Sequence, residues 1–289
     1  MREKIYTPQT MNPLYLRAQH TESKKHPTES IRKQPKRIIK PYKESEIAIS
    51  QKIQEIPFFF HYFSPIQKWQ HINGTRNHIL VQEDYEFTSF ADFFANTDEK
   101  YRKNRKLGDY FLVSVILSSY SHLLKALDLL NKSGIIYGDV RKIGLNRQNQ
   151  PILFDFEKSW RVFNTPLELE EEATDILPYL PIEAHLLHFL QTTQNMSLSL
   201  DNISLVCEKY SSIVPFSKSP DVYLFTPLIN KPMEILIQEL TRTSDRWDLF
   251  GLSILYLQIV HIFSQEPREK TALAVLNNFT QGVKKNMEF

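Results

Sequence analysis

The sequence predicts an α+β fold in which a small β-sheet with one helix precedes a larger, mainly helical part. Three observations support this prediction. Short segments rich in β-branched and aromatic residues occur between residues 31 and 87, long apolar segments with helical spacing follow them, and 42% of the 289 residues are hydrophobic. This length and apolar content suffice to bury a substantial core, in one large domain or in two small lobes.

The first 30 residues are polar, contain three prolines and show no apolar periodicity, so we expect a disordered tail. Residues 1–43 carry eleven Lys or Arg against three Glu. Such a basic segment is either solvated or makes weak contacts with phosphate groups, nucleic acid or an anionic membrane surface. No apolar segment with a small-residue cleavage site lies near the start, so we expect an intracellular, cytoplasmic protein.

The N-terminal part, residues 31–87, contains the predicted sheet and its helix. The segment "RIIK" (37–40) has strand composition, and residues 44–56 space four isoleucines so that a helix buries most of them before Pro57 ends it. The aromatic segments "FFFHYF" (58–63) and "HILVQEDYEF" (78–87) predict antiparallel strands. Their aromatic side chains are expected in the core, because no basic residues alternate with them as in a base-stacking surface.

The second part, residues 88–289, is predicted to be mainly helical, with a Ser/Asn-rich insertion at about 190–243. A long helix runs through residues 110–134, and "GLN" and "PILFDF" form a hairpin around the turn "RQNQ". A second apolar helix begins at "WDLFG". The apolar stretches 110–130 and 249–263 are short or interrupted by polar residues, so we interpret both as buried helices without a transmembrane segment.

Six motifs follow one another between residues 37 and 263: "RIIK", "ILVQEDYE", "SGIIYGDV", "LFDFE", "YLPIE" and "WDLFGLSILYL". In this order they resemble the eukaryotic-type protein kinase family. The resemblance implies a bilobal fold, with a small antiparallel sheet lobe over residues 31–87 and a helical lobe over residues 88–289. The "LPIEAHLLHFL" and "WDLFGLSILYL" elements, separated by a long insertion, are most similar to protein kinase-like proteins of large DNA viruses.

The resemblance implies a role for each matched residue. Asp139 corresponds to the catalytic base and Asp155 to a Mg²⁺ ligand, while Lys40 contacts the phosphates of ATP and Glu46 orients that lysine. These types suit phosphoryl transfer, which needs charge neutralisation on the phosphates and a carboxylate that accepts the proton of the substrate hydroxyl.

Two further carboxylates have structural roles by the same resemblance. Glu183 is expected to form an ion pair that closes the activation segment. Asp248 lies in an apolar helix, where an unpaired carboxylate is costly to bury, so it must find hydrogen-bond donors. The backbone amides of the loop at residues 137–139 are the expected donors.

Several positions depart from the family pattern. The first of the seven glycines is Gly74, so no glycine-rich loop precedes Lys40. Gly144 stands where the family has a metal-binding asparagine, and Asn146, two residues later, is the candidate substitute. Glu157 replaces the glycine of the Asp-Phe-Gly motif, either as an extra metal ligand or as a surface charge.

The lysine assignment also has alternatives, because only five residues separate Lys40 from Glu46. Lys36 and Lys43 are the other candidates for the partner of Glu46. His185 and His188 follow Glu183 without an evident third metal ligand, so we interpret them as structural helix residues.

Three functions remain open at this point. The first is a divergent serine/threonine protein kinase that uses ATP and Mg²⁺ on a protein substrate. The second is a pseudokinase, a binding or scaffold module that has lost parts of the nucleotide and metal sites. The third is a small-molecule kinase of the same broad fold, since "YGD" also resembles the "HGD" loop of those enzymes. The alternative without a catalytic role is that Asp139 and Asp155 are ordinary turn or strand-end carboxylates.

Overall fold

The computed structural model describes the backbone of most of the chain after residue 36. The described residues are 37–41, 44–66, 71–72, 75–81, 90, 93–94, 104–146, 149–161, 179–193, 197–214, 216, 220–265 and 267–287. They all belong to one compact unit, Pro35–Phe289. The predicted disordered tail (1–30) lies outside the described residues, as do residues 82–87 of a predicted strand. Helices predominate over small sheets, which confirms the α+β class.

The first sheet has three strands in the order β1-β4-β3, all antiparallel to their neighbours. Strand β1 is Arg37–Pro41, β3 is His71–Ile72 and β4 is Thr75–Val81. Helix α1, Glu44–Gln54, follows β1 and buries three of its isoleucines. The predicted strand at residues 37–40 and the predicted helix beginning at residue 44 are therefore confirmed.

The segment 58–63 differs from its prediction as an antiparallel strand. Phe58 adopts a left-handed backbone conformation with φ 57°, and Phe59–His61 forms a short 3₁₀-helix. Only Phe63–Ser64 is a strand, β2, and it pairs in parallel with a strand of the later hairpin. Phe58 and Phe60 are exposed, so this aromatic run is only partly a core element. The left-handed residue interrupts the extended backbone that strand propensity alone would favour.

Seven α-helices are found in the described part of the chain. After α1 they are α2 (Arg105–Lys132), α3 (Ile182–Thr193), α4 (Leu200–Ile213), α5 (Met233–Thr241), α6 (Trp247–Ser264) and α7 (Lys270–Lys285). Helices α2 and α6 are the two long apolar helices that the sequence predicts. Within the predicted insertion, the structure has α4, a 3₁₀-helix Val222–Leu228 and α5.

Four short strands connect the helices at the centre of the fold. Strands β6 (Ile143–Leu145) and β7 (Pro151–Phe154) form the predicted antiparallel hairpin. Strand β5 (Ile135–Ile136) pairs with β8 (Trp160–Arg161), also antiparallel. The residues between β5 and β6 and those between β7 and β8 carry the candidate site.

Two apolar clusters form the core. One joins α2, the second half of α6 and α7 with the central strands, and the other joins α3, α4 and α5 with the first turns of α6. Helix α6 belongs to both clusters and is buried along most of its length. Its position at the boundary between the clusters places Asp248 directly beneath the loop after β5.

By length and composition alone, two helical stretches could cross a membrane: Lys106–Lys132 and Met233–Ser264. Within their apolar windows 44% and 67% of the residues are buried inside the protein. This is weak evidence for a membrane, because core helices of other proteins pass the same test.

Candidate functional site

The candidate site is built around the loop of residues 137–142 and the segment of residues 155–158. The loop connects β5 to β6, and the segment follows β7 as a short 3₁₀-helix, Phe156–Lys158. Because β6 and β7 are hydrogen-bonded neighbours, the start of one strand and the end of the other lie at the same edge of the sheet. Topology therefore brings Asp139 and Asp155 to one edge.

Asp248, in the first turn of α6, holds the loop through hydrogen bonds. Its carboxylate accepts hydrogen bonds from the backbone amides of Tyr137, at 2.6 Å, and Gly138, at 2.8 Å. These are the donors that the sequence predicts for this residue. Burial raises the pKa of Asp248 to about 6, although the two amide hydrogen bonds act in the opposite direction. The carboxylate thus satisfies two backbone donors that the fold would otherwise bury without acceptors.

Asp139 is buried, with 2% of its surface exposed, and is held by a residue of its own loop. Arg141 donates to both carboxylate oxygens, from Nε at 2.7 Å and from a terminal guanidinium nitrogen at 2.8 Å. The backbone amide of Arg141 also donates to Asp139, at 3.2 Å. Such a bidentate pair is the strong form of a charge-assisted hydrogen bond. Three donors from one residue therefore hold the carboxylate predicted to be the base.

Asp155 is paired in the same way with the next residue of the loop. Lys142 Nζ lies 3.0 Å from Asp155 Oδ2, with the lysine side chain 43% and the aspartate side chain 21% exposed. Asp155 has a left-handed backbone conformation with φ 61°, which is uncommon for a residue other than glycine. Consecutive basic residues thus bind the two aspartates, and the four charges cancel.

Tyr137 links the two segments through its side chain. Its buried hydroxyl lies 2.5 Å from the carbonyl oxygen of Lys142 and 2.6 Å from that of Phe154, so its single proton is shared between two acceptors. Burial raises the pKa of Tyr137 well above its usual value, and the charges of Asp139 and Asp155 raise it further. The hydroxyl therefore remains a neutral donor at physiological pH.

Helix α6 supports a second segment next to the loop. At Gly251, an added Cβ would lie 2.6 Å from the carbonyl oxygen of Tyr179 and 3.1 Å from the side chain of Val140. Two turns further along the same face of α6, Gln258 accepts a hydrogen bond from the Tyr179 hydroxyl at 2.8 Å. The "YLPIE" motif and the loop therefore rest on the same helix.

The lysine and glutamate of the predicted phosphate site are described only in part. Helix α1 packs against the 3₁₀-helix Phe156–Lys158, and Glu46 in its first turn is 1% exposed. The side chain of Lys40 lies outside the described residues, although its backbone pairs with His78 in β1. Lys36 and Lys43 also lie outside them. The predicted Lys40–Glu46 pair and an ATP site at Lys40 thus stay predictions.

The residues predicted to bind Mg²⁺ contact other protein groups in this structure. Asn146 holds the hairpin turn: its side-chain oxygen accepts from the Gln150 amide at 2.9 Å, and its side-chain nitrogen lies 3.3 Å from Gln150 Oε1. Asp155 is paired with Lys142. Among the described residues no group of three or more His, Cys, Asp or Glu side chains could hold a metal ion. Glu157, half-buried beside Asp155, belongs to no such group either.

The predicted ion pair of Glu183 is not found within the described ranges and stays a prediction. It lies in the first turn of α3, where its carboxylate accepts a hydrogen bond from its own amide. Burial raises the pKa of Glu183. The free amides at a helix N-terminus stabilise a carboxylate there without a cationic partner.

The two histidines of α3 agree with a structural interpretation. His185 is buried, with Nε2 3.2 Å from the carbonyl oxygen of Leu180, and its ring packs edge-on against Tyr210 at 5.0 Å. His188 is half-buried on the same helix. No metal group in the described part of the chain includes either residue.

Sequence reasoning missed Arg141 and Lys142. Their signal was present, because two consecutive basic residues follow Asp139 within its own loop. The sequence alone does not show which carboxylate each of them reaches, since that depends on the turn of the loop.

No protein-family model matches the chain, and no curated protein matches its sequence. The motifs and the geometry of the loop and the segment after β7 are therefore what indicate a function.

Proposed function

We propose that this chain has the bilobal protein kinase-like fold and acts as a pseudokinase, a binding or scaffold module with impaired phosphoryl transfer. The observation that carries the proposal is the pairing of both candidate carboxylates with basic residues of one loop, Asp139 with Arg141 and Asp155 with Lys142. The proposed fold is supported by the order of the motifs, which resembles that of the protein kinase family.

The kinase-like fold is supported by contacts that join motifs far apart in the sequence. Asp248 of "WDLFG" binds the loop of "YGD", and Tyr179 of "YLPIE" contacts the same helix through Gln258. These contacts span more than 75 residues each. Unrelated motifs that had matched by chance would not be expected to meet in this way.

Impaired catalysis is supported by the state of each carboxylate. A general base must accept a proton from the substrate, yet both oxygens of Asp139 already accept from Arg141 and its surface is nearly inaccessible. Asn146 is bound to Gln150 and does not supply the second metal ligand. The missing glycine-rich loop removes a further part of a nucleotide site.

A divergent serine/threonine kinase is the second candidate. It is favoured by the hydrogen bonds that keep Asp139 and Asp155 at one edge of the sheet. The Tyr137 hydroxyl contacts the carbonyl oxygens of both segments, and Asp248 accepts from the backbone amide of Tyr137. In that case Arg141 would have to release Asp139 when a substrate binds. The protein substrate and the use of ATP and Mg²⁺ are part of this candidate only.

The test is a phosphoryl-transfer assay with the full chain, ATP, Mg²⁺ or Mn²⁺, and a generic protein substrate, read by mass spectrometry of both proteins. Wild type, Asp139→Asn and Asp155→Asn are compared, and Asp201→Asn, an exposed residue of α4, serves as the matched control. We expect the same background level from all four proteins. Transfer by wild type and Asp201→Asn that disappears in both site variants would reject the pseudokinase and establish the kinase.

A further inference from the structure

We infer that Lys142 is a built-in counter-ion that takes the place of a divalent metal at Asp155. The inference rests on the proposed function, because it explains how a kinase-like site can keep its acidic residue without a metal. Lys142 Nζ lies 3.0 Å from Asp155 Oδ2, within the range of a charge-assisted hydrogen bond.

The backbone of Lys142 is fixed by hydrogen bonds on several sides, which fixes the point from which its side chain extends. Its amide donates to the carbonyl oxygen of Asp139 at 3.1 Å. Its own carbonyl oxygen accepts from the Phe154 amide at 3.2 Å and contacts the Tyr137 hydroxyl at 2.5 Å. The folded backbone has therefore already lost its freedom before the pair forms, and pairing with Asp155 restricts only the rotamers of the side chain.

Charge balance favours the lysine over a metal at this position. Arg141 supplies one positive charge at Asp139, and Lys142 supplies one at Asp155. Mg²⁺ takes about six oxygen ligands in near-octahedral geometry, and in proteins these are usually one or two carboxylates with waters and substrate phosphates, so the ion needs a carboxylate oxygen that no other cation occupies. The side-chain oxygen of Asn146 is turned to the Gln150 amide, so a second ligand of the predicted pair is absent.

The ammonium group and a divalent cation also exclude each other. Both would occupy the space within about 3 Å of the same carboxylate, where two positive charges repel. A metal could bind Asp155 only after Lys142 had left it. Lys142 therefore determines whether a divalent metal ion binds at Asp155.

The experiment measures binding of Mn²⁺, as a spectroscopic substitute for Mg²⁺, to the folded full chain without nucleotide. Free Mn²⁺ is followed by electron paramagnetic resonance during a titration. The proteins are wild type, Asp155→Asn, Lys142→Met, Lys142→Arg and the double variant Lys142→Met/Asp155→Asn. Lys158→Met is the matched control, because Lys158 is an exposed lysine three residues beyond Asp155.

We expect wild type, Lys142→Arg and Lys158→Met to show only the weak Mn²⁺ binding that Asp155→Asn also shows. Lys142→Met should bind Mn²⁺ about tenfold more tightly than wild type, because the positive charge 3.0 Å from Asp155 Oδ2, which repels a second cation, is removed. The double variant should lose that gain.

Two results would overturn the inference. One is Mn²⁺ binding by wild type that disappears in Asp155→Asn, a comparison that needs no change at Lys142. The other is a folded Lys142→Met protein that gains no site. Mg²⁺ must also displace the Mn²⁺ bound to Lys142→Met if that site is to count as a Mg²⁺-type site.

The outcome separates this inference from the proposed function. If phosphoryl transfer is absent but wild type binds Mn²⁺ through Asp155, the pseudokinase proposal is kept and the counter-ion inference is rejected. If transfer depends on both Asp139 and Asp155 yet proceeds in the presence of a metal chelator, the pseudokinase proposal is rejected and the counter-ion inference is kept. Metal-dependent transfer through Asp155 would reject both.

Discussion

The indole ring of Trp160 packs directly on the backbone of Gly138. A Cβ added at Gly138 would lie 2.4 Å from Cζ3 of that ring and 2.6 Å from the carbonyl oxygen of Lys158, and the residue has φ +79°. Trp160 in turn packs edge-on against Trp247 at the start of α6, with ring centroids 6.1 Å apart. The site loop is thus enclosed between β8 and α6.

Replacing Gly138 with alanine should destabilise the protein by about 3 kcal/mol, because the methyl group meets the indole ring and the left-handed backbone is unfavourable for alanine. Equilibrium unfolding in urea measures the change. Gly282→Ala is the matched control: Gly282 lies in α7 with no atom near an added Cβ, and alanine should raise stability there by about 1 kcal/mol. Equal effects of the two substitutions would contradict this packing.

Replacing Asp248 with alanine should cost about 3 kcal/mol or more, because the amides of Tyr137 and Gly138 lose their acceptor in a buried place. Urea unfolding again gives the free energy. The nearby Asp245 is exposed, and Asp245→Ala should change stability by less than about 1 kcal/mol. A small loss for Asp248→Ala would show that the loop finds other acceptors.

Asp248 should also give the stability a specific pH dependence. Its pKa is about 6 in the folded protein against 3.8 as the ordinary value, so the folded state holds this proton more tightly than the unfolded state does. The contribution to stability is therefore full at low pH and is lost as the pH rises from about 4 to about 6, a change of roughly 3 kcal/mol.

The difference between wild type and Asp248→Asn isolates this contribution from the other carboxyl groups. We expect that the unfolding free energy of wild type, relative to the variant, is higher at about pH 4 than at about pH 7. The measurement is a series of urea titrations over that range. A relative stability that rises with pH would mean that the pKa of Asp248 is lowered and that its amide bonds outweigh burial.

Replacing Tyr137 with phenylalanine should cost about 1 to 2 kcal/mol, because the carbonyl oxygen of Phe154 loses a buried hydrogen bond while the ring still packs on Phe156. Amide hydrogen exchange should increase in residues 137–142 and 154–158 together. Tyr223→Phe, at a residue that is 76% exposed, should leave both quantities unchanged. Faster exchange in only one segment would show that the hydroxyl does not couple the two.

Much of the fold could be predicted because its elements have strong local signals. The hairpin β6–β7 has a polar turn between two apolar runs, and α2 and α6 have long apolar periods. The Asp248 bonds followed from one physical rule, that a buried carboxylate needs donors. These features depend on neighbours in sequence or on a cost that any fold must meet.

The features that could not be predicted depend on contacts made in three dimensions. The aromatic segment 58–63 has high strand propensity, yet the left-handed Phe58 and the parallel pairing with β7 decide its shape. The sequence places Asn146 near enough to Asp155 to share a metal, but the hairpin register joins it to Gln150. The partners of Arg141 and Lys142 depend in the same way on the path of the loop.

Helix α6 also imposes a strict spacing on this chain. Asp248 binds the loop amides, Gly251 admits the backbone of Tyr179, and Gln258 receives the Tyr179 hydroxyl. Each residue of an α-helix advances the direction of its side chain by about 100°. A single inserted residue between Asp248 and Gln258 would therefore turn one end of the helix away from its partners, so this stretch of α6 should accept substitutions on its buried apolar face far more readily than any change of length.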